Sequence, residues 1–181
     1  MRDIMMDLET LSLDNNAVVT SIALVEFDLD TGVIGKKLEV SLDVLPQALN
    51  GGKIDEDTLK WWNEQSNEAK NALITAKRVK LLTGLEKVTD FITSCHDKLN
   101  DVRLWGNGIS ADNVWLRNLY RRHSVDFPLM YWCDKDVRTV VDLLPYKEVE
   151  IPFEGTKHNA IDDCIHQIKM VCVTLDKVRG K

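Results

Sequence analysis

Hydrophobic and polar positions alternate in short runs through the first quarter of the chain and fall into helical stripes thereafter. Residues 3–7 are short and apolar-flanked, 18–28 are rich in branched side chains, and 35–44 alternate through Leu38, Val40 and Leu42. Asp30-Thr31-Gly32 supplies a turn, so the opening predicts a β-meander. Residues 55–76 read as a helix with a polar start and Trp61-Trp62 inside it, and 83–99 as an amphipathic helix with Leu85, Val88, Phe91, Ile92 and Leu99 near one face. A short buried strand over 102–105 ends at Asn107, which two glycines flank, and Ser110 can cap a helix running through Val114, Leu116 and Tyr120. A further short strand is expected over 130–132, a short helix over 137–144 and a last helix over 160–178. The order β-β-β-α-α-β-α-β-α predicts one α/β layer structure, a single domain over 1–181.

Composition narrows the class. Apolar content of 44% and charged content of 29% belong to an ordinary globular protein. No run approaches the roughly 18 apolar residues of a membrane helix, and MRDIMMDLET puts acids where a signal peptide would be apolar. The expected location is therefore the cytoplasm, with no membrane partner. Cys95, Cys133, Cys164 and Cys172 lack paired zinc-site spacing and read as reduced thiols. A net charge of −6 argues against tight non-specific grip on duplex nucleic acid. It leaves room for a short or single-stranded nucleic acid, because bound divalent ions can reverse the field over a carboxylate cluster.

Three acidic motifs carry the chemistry. Asp7 and Glu9, two apart at a strand end, project to one face. Alone, such a pair reads more readily as a solvated strand end. Asp112 follows a strand, a Gly-rich turn and a helix start, where a carboxylate also suits the helix dipole. Asn107 between its glycines fits a tight turn or a backbone that a ligand approaches closely. The third motif, His158-Asn159-Ala160-Ile161-Asp162-Asp163, is ambiguous: on a helix His158 and Asp163 lie roughly 140° apart, whereas Asp162 shares the face of His158. Either His158 precedes the helix or Asp162 is its partner.

Taken in order, Asp7-x-Glu9, Asp112 and His158-x-x-x-x-Asp163 resemble the DEDDh group of 3′–5′ exonucleases, whose fold is ribonuclease H-like. MRDIMMDLETLSL, WGNGISADNVWL and HNAIDDCIHQ resemble more narrowly the small stand-alone phage and bacterial exonucleases, with a mycobacterial-type 3′–5′ exoribonuclease branch among them. Trp61-Trp62 and Val137-Arg138-Thr139-Val140 suit the same subgroup. The match covers nearly the whole chain and departs at Ala111, where many relatives carry an aromatic residue that shapes the nucleotide pocket.

The resemblance implies a mixed five-stranded sheet, its first three strands antiparallel, with helices on both faces. It selects Asp163 over Asp162. It also implies two Mg²⁺ or Mn²⁺ ions, held by Asp7, Glu9, Asp112 and Asp163, with His158 as the base that deprotonates the attacking water. The expected substrates are 3′ ends of single-stranded DNA or RNA, and the product a nucleoside 5′-monophosphate. Thr10 and Leu11, just after the first motif, are expected against the terminal nucleotide, with Asn107 nearby. Trp61 or Trp62 could stack a base, one of the two being core. Small relatives suggest a homodimer. The rival readings are a non-catalytic nucleotide or nucleic-acid binding module of the same fold, a structural protein with scattered acids, and a phosphohydrolase of free nucleotides.

Overall fold

Strand β1 (Asp3–Thr10) is buried on both faces, and its alternation separates the two sides of the molecule. Ile4, Met6 and Leu8 enter one apolar core, while Met5 enters the other. Asp3, Asp7 and Glu9 share the side of Met5. The computed structural model describes residues 1–145 and 151–180, so 146–150 and Lys181, part of the expected 1–181 domain, lie outside the described residues.

β1 pairs antiparallel with β2 (Val19–Phe27), which pairs antiparallel with β3 (Ile34–Ser41). On its other edge β1 runs parallel to β4 (Arg103–Gly106), and β4 to β5 (Asp134–Asp136). The order is therefore β3-β2-β1-β4-β5, the mixed sheet that the resemblance implied. Helices α4 (Leu81–Cys95) and α5 (Asp112–Arg122) cover one face, with Leu85, Val88, Ile92 and Leu116 in its core. On the other face, α6 (Val137–Val141) and α7 (Ala160–Val178) pack Val137, Cys164, Ile168 and Val171 on Met5, Ala23, Val25 and Phe27. Each fully buried aliphatic side chain of this kind contributes about 1.5–3 kcal/mol, which holds the start of α7 against the end of β1. No helix among the described residues is long and apolar enough to cross a membrane.

Several expected boundaries shift. A five-residue helix α1 (Leu45–Leu49) follows β3, begun by Pro46 at its first turn. The helix expected over 55–76 is two, α2 (Glu56–Glu64) and α3 (Asn67–Thr75), because the Ser66 hydroxyl accepts from Ala69 N and starts a new helix. α4 begins at Leu81, which is buried, and ends at Cys95 rather than near residue 99, since His96 accepts from Lys98 N in a local turn. The N-cap of α5 is Ala111, with no side-chain cap, so Ser110 does not cap it. The strand expected over 130–132 is a 3₁₀ turn (Tyr131–Cys133) with Tyr131 74% exposed; β5 takes up the edge immediately after it. There Asp134 is held by Arg117 through bonds of 2.9 and 2.7 Å, so a charged segment wins the edge position from an aromatic one. The four cysteines are free thiols, three of them buried.

Candidate active site

The end of β1 delivers two carboxylates to one side. Asp7 lies opposite Ala23 and Glu9 opposite Ser21, and the register breaks between Glu9 and Thr10. Such an irregularity bends the strand end away from the ladder beside a site. β4 runs parallel beside β1 and stops at Gly106, so its loop reaches the level of Asp7. A side chain at Gly106 would lie 2.3 Å from Asn113 Oδ1, and glycine is what lets α5 start this close to the strand. Asp112 thereby reaches back to β1: its Oδ1 accepts from Leu8 N at 3.2 Å and its Oδ2 from Asn107 N at 3.0 Å.

The last helix resolves the His158 ambiguity in local terms. Asn159 is the N-cap of α7, accepting from Asp162 N at 3.1 Å, so His158 precedes the helix. Its backbone is left-handed, with φ 63°. Asp162, favoured by helical spacing, turns instead to the preceding loop, where it accepts from Thr156 N at 2.9 Å. Asp163 turns into the site: ligand atoms of Glu9, His158 and Asp163 all lie within 4.8 Å of one another.

Burial and mutual repulsion make this cluster costly to ionise. The Asp7 carboxyl is raised well above its ordinary range, first by burial and then by the charges of Asp112, Glu9 and Asp163. Glu9 is pushed up to about 8 by burial, then by Asp163 and Asp112. Burial lifts Asp112 to about 6, although the N–H groups of Leu8 and Asn107 oppose the rise. Asp163 is raised by burial against the lowering pull of His158. Oxygen donors crowded in this way suit hard divalent cations, whose charge offsets the repulsion. The donor set fits such ions.

A cleft of about 460 Å³ opens beside Glu9, with Leu8, Thr10, Leu13, Trp61, Trp62 and Trp115 among its walls. Trp62 is 5% exposed and donates from Nε1 to Thr10 O at 3.0 Å, so it is the core member of the pair. Trp61 is 41% exposed, and its ring meets His158 edge-on with centroids 5.0 Å apart. Thr10 lines the cleft, though its hydroxyl bonds to Ser12 O at 2.8 Å. Leu11 is not among the lining residues; Leu13 is. Asn107 enters through its backbone N–H on Asp112 rather than as a wall of the cleft. Trp115, one turn after Ala111, supplies an aromatic wall on α5.

Sequence reasoning missed Gln167. It is buried, donates from Nε2 to Asp7 Oδ1 at 2.9 Å, and leaves Oε1 buried without a partner. Its spacing of four from Asp163 puts both on one face of α7, which was the available signal. Trp115 and Leu13 were likewise missed, being ordinary apolar positions in the sequence.

With this geometry in view, a family model described as a 3′–5′ exoribonuclease Rv2179c-like domain matches residues 2–175. An exodeoxyribonuclease of Enterobacteria phage T4 is 26% identical, over 99% of this chain and 92% of its own. Among solved structures, the nuclease domain of 3′hExo, a DEDDh family member bound to rAMP, is 10% identical with a TM-score of 0.66, covering 97% of this chain and 92% of that one. E. coli exonuclease I in complex with a dT13 oligonucleotide is 16% identical with a TM-score of 0.66, over 98% of this chain but only 41% of that one. The fold is thus ribonuclease H-like.

Proposed function

Because this chain belongs to the Rv2179c-like 3′–5′ exoribonuclease domain family, we propose that its carboxylate cluster removes nucleotides from the 3′ ends of single-stranded DNA or RNA. One observation carries the reading: Asp112 and Asp163, from two distant segments, converge on Asp7 and Glu9 at the end of β1 and raise the proton affinity of both, with His158 beside Glu9 and Asp163. The family description names an exoribonuclease and the phage relative an exodeoxyribonuclease, which supports assigning both sugars.

Asp7, Glu9 and Asp163 would hold two divalent ions, Mg²⁺ or Mn²⁺. Asp112, whose two oxygens already accept backbone N–H groups, would complete that set. When bound, the ions supply positive charge to the phosphoryl and leaving oxygens. His158 takes the proton of the attacking water through its imidazole. The edges of Trp61 and Trp62, with centroids at 5.0 and 6.3 Å, restrict that ring. As the water oxygen bonds to phosphorus, the bond from phosphorus to the 3′ oxygen breaks and a nucleoside 5′-monophosphate leaves. The terminal nucleoside enters the cleft, where Trp61 and Trp115 flank the base and Thr10 bounds the sugar.

The test is a 5′-labelled single strand of DNA, and its RNA counterpart, incubated with Mg²⁺, Mn²⁺ or EDTA. A ladder shortening from the 3′ end, dependent on the metal and lost in Asp7→Asn and His158→Ala, supports the reading. Folded protein that trims neither strand in any metal overturns it.

A further inference from the structure

Arg138 has no role in the reading so far, yet it stands at the rim of the acidic centre. It follows β5 in the first turn of α6, on the side of the site opposite Glu9 in the sheet order. Gly108, in the loop that carries Asp112, has φ +116°, and a side-chain carbon built on it would lie 3.5 Å from Arg138 Cζ and 3.6 Å from Nε. The guanidinium therefore lies alongside the bare loop, within van der Waals reach of a carbon placed at Gly108. Asp136 fastens this arrangement from below, accepting from Ile109 N at 3.2 Å and from Thr139 N at 3.2 Å.

Three arginines around the sheet are committed. Arg103 is bound to Asp3, Arg117 to Asp134, and Arg122 to Ala17 O at 2.9 Å. Arg138 is exposed, and among the described residues its guanidinium makes no ion pair or hydrogen bond. A planar fork of donors without a hydrogen bond beside the loop that carries Asp112, the carboxylate its charge acts on, is the arrangement that meets a phosphodiester, which accepts two parallel N–H bonds.

Charge decides the direction of the strand. The cleft that takes the terminal nucleoside is lined by Asp14, Asp55 and Asp57. The lysines on that side are already paired, Lys53 with Asp14 at 3.9 Å and Lys60 with Glu56 at 3.1 Å. A polyanion leaving the centre along that wall meets carboxylates, whereas across the Asn107–Gly108 loop it meets an open guanidinium.

Resting on the exonuclease reading, we propose that Arg138 binds the phosphodiester next 5′ to the one being cleaved and so sets the path of the single strand over the Gly108 loop. Arg138 is then a substrate-binding residue specific to oligonucleotides: it contributes nothing to a mononucleotide diester that lacks the second phosphate.

The experiment compares wild type, Arg138→Gln, Arg138→Lys and the remote control Arg121→Gln, each on a 5′-labelled single-stranded oligonucleotide and on the p-nitrophenyl ester of thymidine 5′-monophosphate. The expected result is a fall in kcat/KM of about 10- to 100-fold for Arg138→Gln on the oligonucleotide, as for a lost charge-assisted bond. Arg138→Lys should recover part of it, the mononucleotide ester should be hydrolysed at the wild-type rate, and Arg121→Gln should match wild type on both. A methylphosphonate at the linkage next 5′ to the terminal one should slow wild type but add no further loss in Arg138→Gln. The dependence of log KM on log salt should also become shallower by about 0.7. Equal losses on both substrates, or an additive loss with the neutral linkage, would overturn the proposal. Trimming by wild type that Arg138→Gln leaves unchanged removes this proposal alone; no trimming by wild type removes the exonuclease reading with it.

Discussion

Replacing Glu9 by glutamine should stabilise the metal-free protein, and increasingly so as the pH rises. Burial and the charges of Asp163 and Asp112 push the Glu9 carboxyl up to about 8, against 4.5 when free. Folded protein therefore keeps a proton on Glu9 that the unfolded chain releases. Stability from this group is fully present below the unfolded value and is lost as the pH rises through the folded one. Each pH unit in that window costs about 1.4 kcal/mol. Between the free value and neutrality the limit is about 3 kcal/mol, and partial access of solvent to the side chain reduces it to roughly 1–2 kcal/mol. Glutamine keeps the shape and stays neutral throughout. For a chain of this size about 1 kcal/mol moves Tm by about 2–4 °C. Thermal unfolding in EDTA, followed by circular dichroism from pH 5 to 8.5, should show Glu9→Gln level with wild type at pH 5. At pH 8 it should unfold several degrees higher. Adding Mn²⁺ should then raise wild type more than the variant, reversing the order. A variant no more stable than wild type at pH 8 in EDTA would refute the electrostatic reasoning.

Gln167→Leu should fold, since it removes one buried bond to Asp7 and an unpartnered Oε1, but should need about 10- to 100-fold more Mn²⁺ for half-maximal trimming, as for lost support of a ligand. A metal titration of activity checks it; an unchanged midpoint would contradict it. Trp61→Ala should raise KM for oligonucleotides by an amount matching a lost stacking contact, about 1–3 kcal/mol, with Tm little changed. Trp62→Ala should instead lower Tm strongly, because its ring is buried and its Nε1 holds Thr10 O. A pair of variants with the opposite pattern would reassign the two rings.

Alternation made the sheet legible. Leu38, Val40 and Leu42 revealed β3, and Asp7 and Glu9 could be put on one face from their spacing alone. The break at Ser66 was harder, because a serine inside a polar-apolar stripe can face solvent or cap, and only its bond to Ala69 N decides. Tyr131 and Trp132 have strand propensity, yet the edge went to Asp134–Asp136, whose charges find Arg117 and the start of α6 across the fold. Asp162 and Asp163 were inseparable by periodicity, since the answer depended on where α7 begins; the resemblance selected Asp163, and the Asn159 cap supplies the local reason. The candidate site was thus readable as motifs in order. Its supports were not: the bond of Gln167 to Asp7 and the contact of Arg138 with Gly108 join residues that only the folded chain brings together.

The adjacent carboxylates Asp162 and Asp163 allow the most direct test of the hydrolytic centre. Trimming of a 5′-labelled strand in Mg²⁺ or Mn²⁺ should be compared for Asp163→Asn and Asp162→Asn, which make the same change in charge at neighbouring positions. Loss of a group that holds the ions should cost about 10³-fold or more in kcat/KM. The account predicts that loss in Asp163→Asn, whereas Asp162→Asn, whose carboxylate serves the Thr156 turn, should stay within a few-fold of wild type. Full activity in Asp163→Asn, or the large loss in Asp162→Asn instead, would contradict it.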